Sequence, residues 1–372
     1  SRDNAGANRG ARTSMAIARR GLIHATIAWS LVAAGAAPAR AGDLDGVTLR
    51  VATWGGSWLQ FSRSAIEPRL TARGATVEYV LGNPNENLAK LLAARGQPVP
   101  FDVIEFSENN RNDLDEAGVL APLPYAQIPH AAALAGRDRL PALVANSSTV
   151  DGIVYNAKKF AELGLAPPKT YADLANPKLA GRVSFPDATI IQGIKGIIAI
   201  AYENGGDESH LDPGLDAIAK LDVGAFYTSS VKLFTQFKAG DVWASHWHVG
   251  WVDRARRDDL PLAVSLPAIK DKHGVLSNVW LGVIKGTANQ AAAAAFINEY
   301  LAPDVQEQFG RLIGARPVSP VAAERLRQDP ALAELLPLTP AAYDAMYFPD
   351  LTKIDLNDLL DRWKRRVIHR EH

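Results

Sequence analysis

The chain has 372 residues, 47% of them hydrophobic and 22% charged, an ordinary globular composition in a length that calls for at least two hydrophobic cores. Forty Lys and Arg balance forty Asp and Glu, so the electrostatic footprint of a general nucleic-acid binder is missing. Cysteine is absent, which excludes disulfide frameworks, thiolate metal sites, iron–sulfur clusters and cysteine nucleophiles.

Met15 opens a segment with the three parts of a secretory signal: Arg19 and Arg20, a mostly apolar run from Gly21 to Ala34, and the small-x-small site Ala39-Arg40-Ala41. The mature chain is expected to start near Gly42, with residues 1–14 an upstream remnant and 15–41 the signal peptide. His24, Thr26 and Ser30 interrupt the apolar run, which falls short of the ~20 residues that span a bilayer. General secretion is expected over the twin-arginine route, whose motif is only partly present. No cysteine stands at the cleavage site to carry a lipid, so a soluble monomer in the periplasm is the expectation.

From Val47 the pattern alternates between strand and helix. Strands are expected at Val47 to Ala52, Ala75 to Val80 and Phe101 to Phe106, and helices at Trp58 to Ala72, Asn85 to Ala94 and Asn109 to Ala117, the last ended by Gly118. A second unit has strands at Gly152 to Tyr155, Arg182 to Phe185, Ala225 to Tyr227 and Val242 to His246, with a helix from Ile190 to Tyr202. A strand at Val279 to Ile284 and helices at Asn289 to Tyr300, Pro303 to Leu312 and Leu356 to Arg366 follow. Strands separated by helices of this length imply mainly parallel sheets covered on both faces. Ligands in such sheets bind beyond the carboxyl ends of the strands, which directs attention to Trp54-Gly-Gly-Ser57 and Ser107-Glu-Asn109.

Six segments, in order, resemble the periplasmic solute-binding proteins of ABC importers, in particular the spermidine/putrescine receptor family. They are Leu49 to Trp54, Phe101 to Ser107, Asp113 to Leu123, Thr170 to Asp187, Phe237 to Trp247 and Phe296 to Phe309. The resemblance implies an α/β fold of two lobes joined by hinge strands (type II), a small-molecule ligand in the cleft, no catalysis, no cofactor and no metal. It also implies an inner-membrane permease with its ATPase as partner. Lobe 1 is expected at 43–150 plus about 281–340, lobe 2 at 151–280, and a helical segment packing on the lobes at 341–372. Carried across position by position, Trp54 falls on the family's stacking residue, Trp247 on its second-lobe wall, Ser107 on a hydroxyl after the third strand and Asp187 on a carboxylate that receives an ammonium. Val279 and Ile190 replace acids of the polyamine receptors, and Ser57 and Asn109 replace tyrosines.

The residues themselves add a second reading. Trp54 and Trp247 stand at strand ends, where an indole face suits an amine on a carbon chain. The i, i+4, i+8 spacing of Trp243, Trp247 and Trp251 offers a helix stripe in the core as the alternative. Asp187 could cap the helix near Ile190. Trp280 in the hinge strand is a third candidate wall. His246 and His248 share one side of a strand but lack a third metal donor. Trp363 to Arg366 reads as the exposed end of a terminal helix. The motifs of P-loops, dinucleotide folds, serine hydrolases and zincins are missing. The leading expectation is a receptor for a small aliphatic amine. The alternative is a small carboxylate or amino-acid-like solute, with Arg316 and Lys285 as candidate anion contacts; a periplasmic hydrolase is a remote third.

Overall fold

The computed structural model describes residues 42–369, so the signal-like segment Met15 to Ala41 lies outside the described residues. Eight strands follow one another across one mixed sheet: Thr76–Leu81, Thr48–Thr53, Val103–Ser107, Lys272–Ile284, Leu143–Asn156, Ala244–His248, Val183–Pro186 and Val223–Tyr227. The three strands at either end run parallel. Parallel neighbours need long crossovers, and helices such as Pro84–Ala93 and Ile191–Glu203 supply them. The central junctions are antiparallel, because Leu143–Asn156 and Lys272–Ile284 pair with each other and with one strand on either side.

Two halves result, each with its own core. The first collects Leu49, Val51, Val103, Ile104 and Phe106 from strands and Phe296, Tyr300 and Phe309 from helices. The second is built from two clusters, one around Phe185, Ile194, Ile197 and Ile198 and one around Phe237, Trp247 and Val252. The mixed two-lobed α/β architecture follows the sequence reading, but three helices of the second half, Asp212–Lys220, Ser230–Ala239 and Gly250–Arg257, were not expected.

The two long strands change cores midway. Leu143, Val144 and Ala145 pack in the first half, and Val150, Ile153 and Val154 in the second; on the return, Val275 and Leu276 give way to Trp280 and Leu281. Between these apolar ends lies a buried polar band, Asn146-Ser-Ser148 on one strand and Ser277-Asn278 on the other. Ser148 donates its hydroxyl to Asn278 Oδ1 at 2.8 Å, and Asn278 Nδ2 donates to Asp138 Oδ1 at 3.0 Å. The pairing slips by one residue here, Val279 lying opposite Ser147 and Trp280 opposite Ala145, so Asn146 bulges out of register.

A third crossing joins them. Arg316–Pro317 pairs with Ser148 and Ser147, and the buried Arg316 guanidinium sits 3.6 Å from Asp138 and 3.5 Å from the centre of the Tyr343 ring. The chain therefore leaves the first half at about residue 317, earlier than the expected boundary near 340. Ala323, Leu326, Leu332 and Leu335 have their apolar faces against the Trp247 cluster, which holds this stretch in the second half. The terminal helix Leu356–Trp363 also corrects an expectation: Trp363 is buried, edge-on to Phe226 at 5.1 Å, rather than at an exposed end.

Glu105 is a carboxyl enclosed in the first half. Burial pushes its pKa up to about 7, against hydrogen bonds donated by Thr53, Tyr300 (2.9 Å) and Asn146, the bulged hinge residue. A raised folded-state pKa means that this group's contribution to stability is complete below its unfolded value of 4.5 and is lost as pH rises through about 7. The contribution amounts to about 3 kcal/mol. A Glu105→Gln variant, uncharged at every pH, should gain on the wild type in denaturant melts as pH is raised from 5 to 8.5, while a constant difference would show that Glu105 is ionised throughout.

Candidate functional site

A cleft of about 910 Å³ opens between the two halves, with the central strands at its floor: Ser277 and Asn278 of the polar band and the adjoining Thr149 and Val279 all reach it. The first half lines it with segments that follow two parallel strands. Thr48–Thr53 ends in Trp54-Gly-Gly-Ser57, where Gly56 has a φ of 65°, a left-handed conformation that favours glycine and turns the chain into the next helix. Val103–Ser107 ends in Ser107, and Asn109 follows. Opposite Asn110, the helix Pro84–Ala93 starts with a reciprocal cap: Asn83 accepts from the Glu86 amide at 2.9 Å and Glu86 accepts from that of Asn83 at 3.1 Å. Asn110 then donates to Asn85 at 2.6 Å, fixing this polar rim.

Trp54, Ser57, Ser107 and Asn109, four of the candidates, thus share one wall of the cleft. The other three candidates lie elsewhere. Trp247 has no exposed surface; it stacks on Phe237 at 5.5 Å, and its indole N–H donates to Ser230 at 2.9 Å. Its other face stacks on Trp251 at 5.4 Å, and Trp251 is the ring that reaches the cleft. The wall of the second half is therefore displaced one helical turn along the chain, because Gly250–Arg257 begins directly after the strand that carries Trp247. Trp280 is buried and donates its indole N–H to Glu108.

Asp187 lies outside the cleft lining and is also not the helix cap. Its carboxylate accepts from the amide and hydroxyl of Thr189, at 2.9 and 2.7 Å, and from the Trp363 indole at 3.1 Å, while Ile190 occupies the cap position. Arg316 is committed to Asp138 below the floor, and Lys285 does not reach the cleft.

The charges that do line the cleft were not singled out in the sequence. They are Asp253, Arg254, Arg257 and Arg311. Asp253 accepts a hydrogen bond from Arg257 one turn later, and Arg311 reaches Glu307 at 3.1 Å and Asp329 at 3.2 Å. Arg254 has no carboxylate partner among the described residues, and its guanidinium lies 5.0 Å from the Trp251 ring centre. The spacing 250–257, glycine then an aromatic followed by Arg at 254, 256 and 257, was the available signal for a cationic helix at the cleft rim.

Beneath the second-half wall is a buried cluster on one face of the sheet. Asp151 lies directly across from His248 in the antiparallel pairing, and Lys195 of the helix Ile191–Glu203 sits 2.9 Å from Asp151 and 3.2 Å from the Thr149 hydroxyl. Burial would raise Asp151, but the Lys195 ammonium and His246 outweigh it and hold the carboxyl below the usual range. Burial lowers both His246 and His248, which keeps the imidazoles neutral at pH 7 despite Asp151. His246 meets the Tyr171 hydroxyl at 2.7 Å.

The profile of a bacterial extracellular solute-binding protein family matches residues 65–334. The chain belongs to that family. No curated protein matches it by sequence. Solved structures share its fold at low identity. A GABA receptor is 18% identical with a TM-score of 0.72, covering 86% of this chain and 97% of its own. The agropinic acid complex of a periplasmic binding protein from A. tumefaciens R10 is 22% identical with a TM-score of 0.65, covering 86% and 96%. A structure from Listeria monocytogenes assigned to a spermidine/putrescine ABC transporter is 18% identical with a TM-score of 0.65, covering 85% and 97%. The solute-binding family and the periplasmic binding protein fold implied by the six sequence segments are thereby met. This solute-binding protein differs from the sequence expectation in which residues of its second half face the cleft.

Replacing Trp247 by Ala should leave a void between Phe237 and Trp251 and cost about 3–5 kcal/mol of stability, read as a lower unfolding midpoint. An unchanged midpoint would place Trp247 outside the core.

Proposed function

We propose that this solute-binding protein captures a small carboxylate-bearing solute in the periplasm and presents it, in a closed form, to an inner-membrane ABC permease. The observation that carries the reading is the charge of the cleft. Three guanidiniums line it against one carboxylate, and that carboxylate is already held by Arg257. An incoming ammonium would meet no free acid there, whereas an incoming carboxylate meets the unpaired Arg254 across from the hydroxyls of Ser57 and Ser107 and the amide of Asn109. The helix Ile191–Glu203 adds to the positive potential, since its uncapped first turn borders the same space. Trp54 and Trp251 supply apolar faces for the carbon chain.

One observation favours an aliphatic amine instead: two indole faces at the cleft, each able to attract a cation. On that reading the ammonium has to be held by rings alone, in a field set by arginines, so the carboxylate is the better match. The described residues contain no helix long and apolar enough to cross a membrane, and the proposed export rests on the segment Met15 to Ala41.

A thermal-shift panel of short mono- and dicarboxylates, amino acids and putrescine tests the reading, because a ligand that binds only the folded form raises the midpoint by mass action. Acids should raise it and putrescine should not. Arg254→Ala should then weaken the best acid by about tenfold, the scale of one charge-assisted hydrogen bond, and added salt should weaken the wild type in the same direction. Stabilisation by putrescine alone would overturn the proposal.

A further inference from the structure

Among the described residues, His248 is the one buried residue with an unpartnered side-chain polar atom that also borders the cleft. It is 6% exposed, its ring is fixed by the strand Ala244–His248, and its Nε2 has no hydrogen-bond partner among the described residues. The other nitrogen decides what Nε2 can do. Nδ1 lies 3.1 Å from the Val150 carbonyl oxygen, which can only accept, and 3.4 Å from the Gly250 amide, which can only donate; the shorter contact assigns the proton to Nδ1, which donates to Val150. A neutral imidazole protonated at Nδ1 presents a lone pair at Nε2.

The neighbours keep it that way. Asp151 faces His248 across the strand pair and would favour an imidazolium, but Lys195 at 2.9 Å neutralises that carboxylate, and burial disfavours a further charge. A buried acceptor left unpaired is costly, so a donor from the solute would remove a penalty as well as form a bond. Thr149, whose hydroxyl takes the Lys195 ammonium at 3.2 Å, borders the same part of the floor.

We infer that His248 Nε2 accepts a hydrogen bond from the solute and selects carboxylates that also carry a hydroxyl or amino group over those that do not. This rests on the carboxylate reading above and narrows it. The solute class becomes hydroxy acids and amino acids, with the acid group toward Arg254 and the donor toward the floor.

The test is titration calorimetry on matched pairs that differ only in the donor, γ-aminobutyrate against butyrate and lactate against propionate, with putrescine alongside. In the wild type the donor-bearing member of at least one pair should bind about threefold to tenfold more tightly, the span of one hydrogen bond to a buried acceptor. His248→Phe should erase that ratio while leaving the affinity for the plain acid nearly unchanged. His248→Gln, whose carbonyl oxygen restores an acceptor, should recover part of it and guards against a Phe variant that does not fold. Acids that bind without preference for the donor, or a ratio that survives in His248→Phe, would overturn the inference and leave the carboxylate reading standing. Binding of putrescine and of none of the acids would overturn both.

Discussion

The structure depends on a change of partner within two paired strands. Leu143–Asn156 and Lys272–Ile284 carry apolar residues on either side of a polar stretch: the apolar residues enter separate cores and the polar stretch enters neither. Side-chain hydrogen bonds satisfy that middle: Ser148 to Asn278, Asn278 to Asp138, and Ser147 to its neighbour Asn146 at 2.9 Å. Apolar side chains there would fuse the two cores into one. Small hydroxyl and amide groups instead leave a paired band between the cores, and two of its members, Ser277 and Asn278, reach the floor of the cleft. Floor and band adjoin and partly coincide, so under the proposed function a solute resting on Thr149, Ser277 and Asn278 would bias the opening angle between the halves.

Rigid rows of side chains run outward from this floor. On one side Trp54 leans on Trp58 at 5.0 Å, and Trp58 on Phe309 at 5.0 Å. On the other, Phe237, Trp247 and Trp251 form a stack whose last ring alone meets solvent. Each wall is the exposed end of a buried aromatic row. The halves also touch through backbone: a Cβ built on Gly250 would lie 2.1 Å from the Gly314 carbonyl oxygen, so the start of the arginine-bearing helix can approach the end of Pro303–Ile313 only because both positions are glycine.

Much of the frame was legible in the sequence because it rests on periodicity. Strand and helix alternation located the outer strands of both halves to within about two residues, but of the two long central strands it showed only Gly152 to Tyr155 and Val279 to Ile284, missing the starts at Leu143 and Lys272 because a polar middle breaks the apolar pattern. Glycines at 118 and 240 end helices in the left-handed conformation. The first-half wall was legible for the same reason: Trp54, Ser57, Ser107 and Asn109 follow strand ends, and a strand end fixes where the next side chains go. The second-half wall was not. Trp247 and Trp251 are both tryptophans four apart, and only the turn at Val249, which converts strand into helix, determines that the first is core and the second is wall. Asp187 was misplaced because its partner, Trp363, arrives from 176 residues away. The cationic rim was overlooked because Arg254 and Arg257 look like ordinary helix-end charges until the fold turns that helix toward the cleft. The third crossing at Arg316–Pro317 was hidden by its length, two residues, too short for any pattern.

Turning about the polar band on capture of an acid is the central claim, and small-angle X-ray scattering addresses it most directly. With the acid that binds most tightly in the screen, at saturation, the radius of gyration should fall with no change in mass, and a cleft-wall variant that no longer binds should keep the ligand-free radius. A radius that stays the same at saturation would contradict a hinge at Asn146-Ser-Ser148 and leave the two halves as one fixed body.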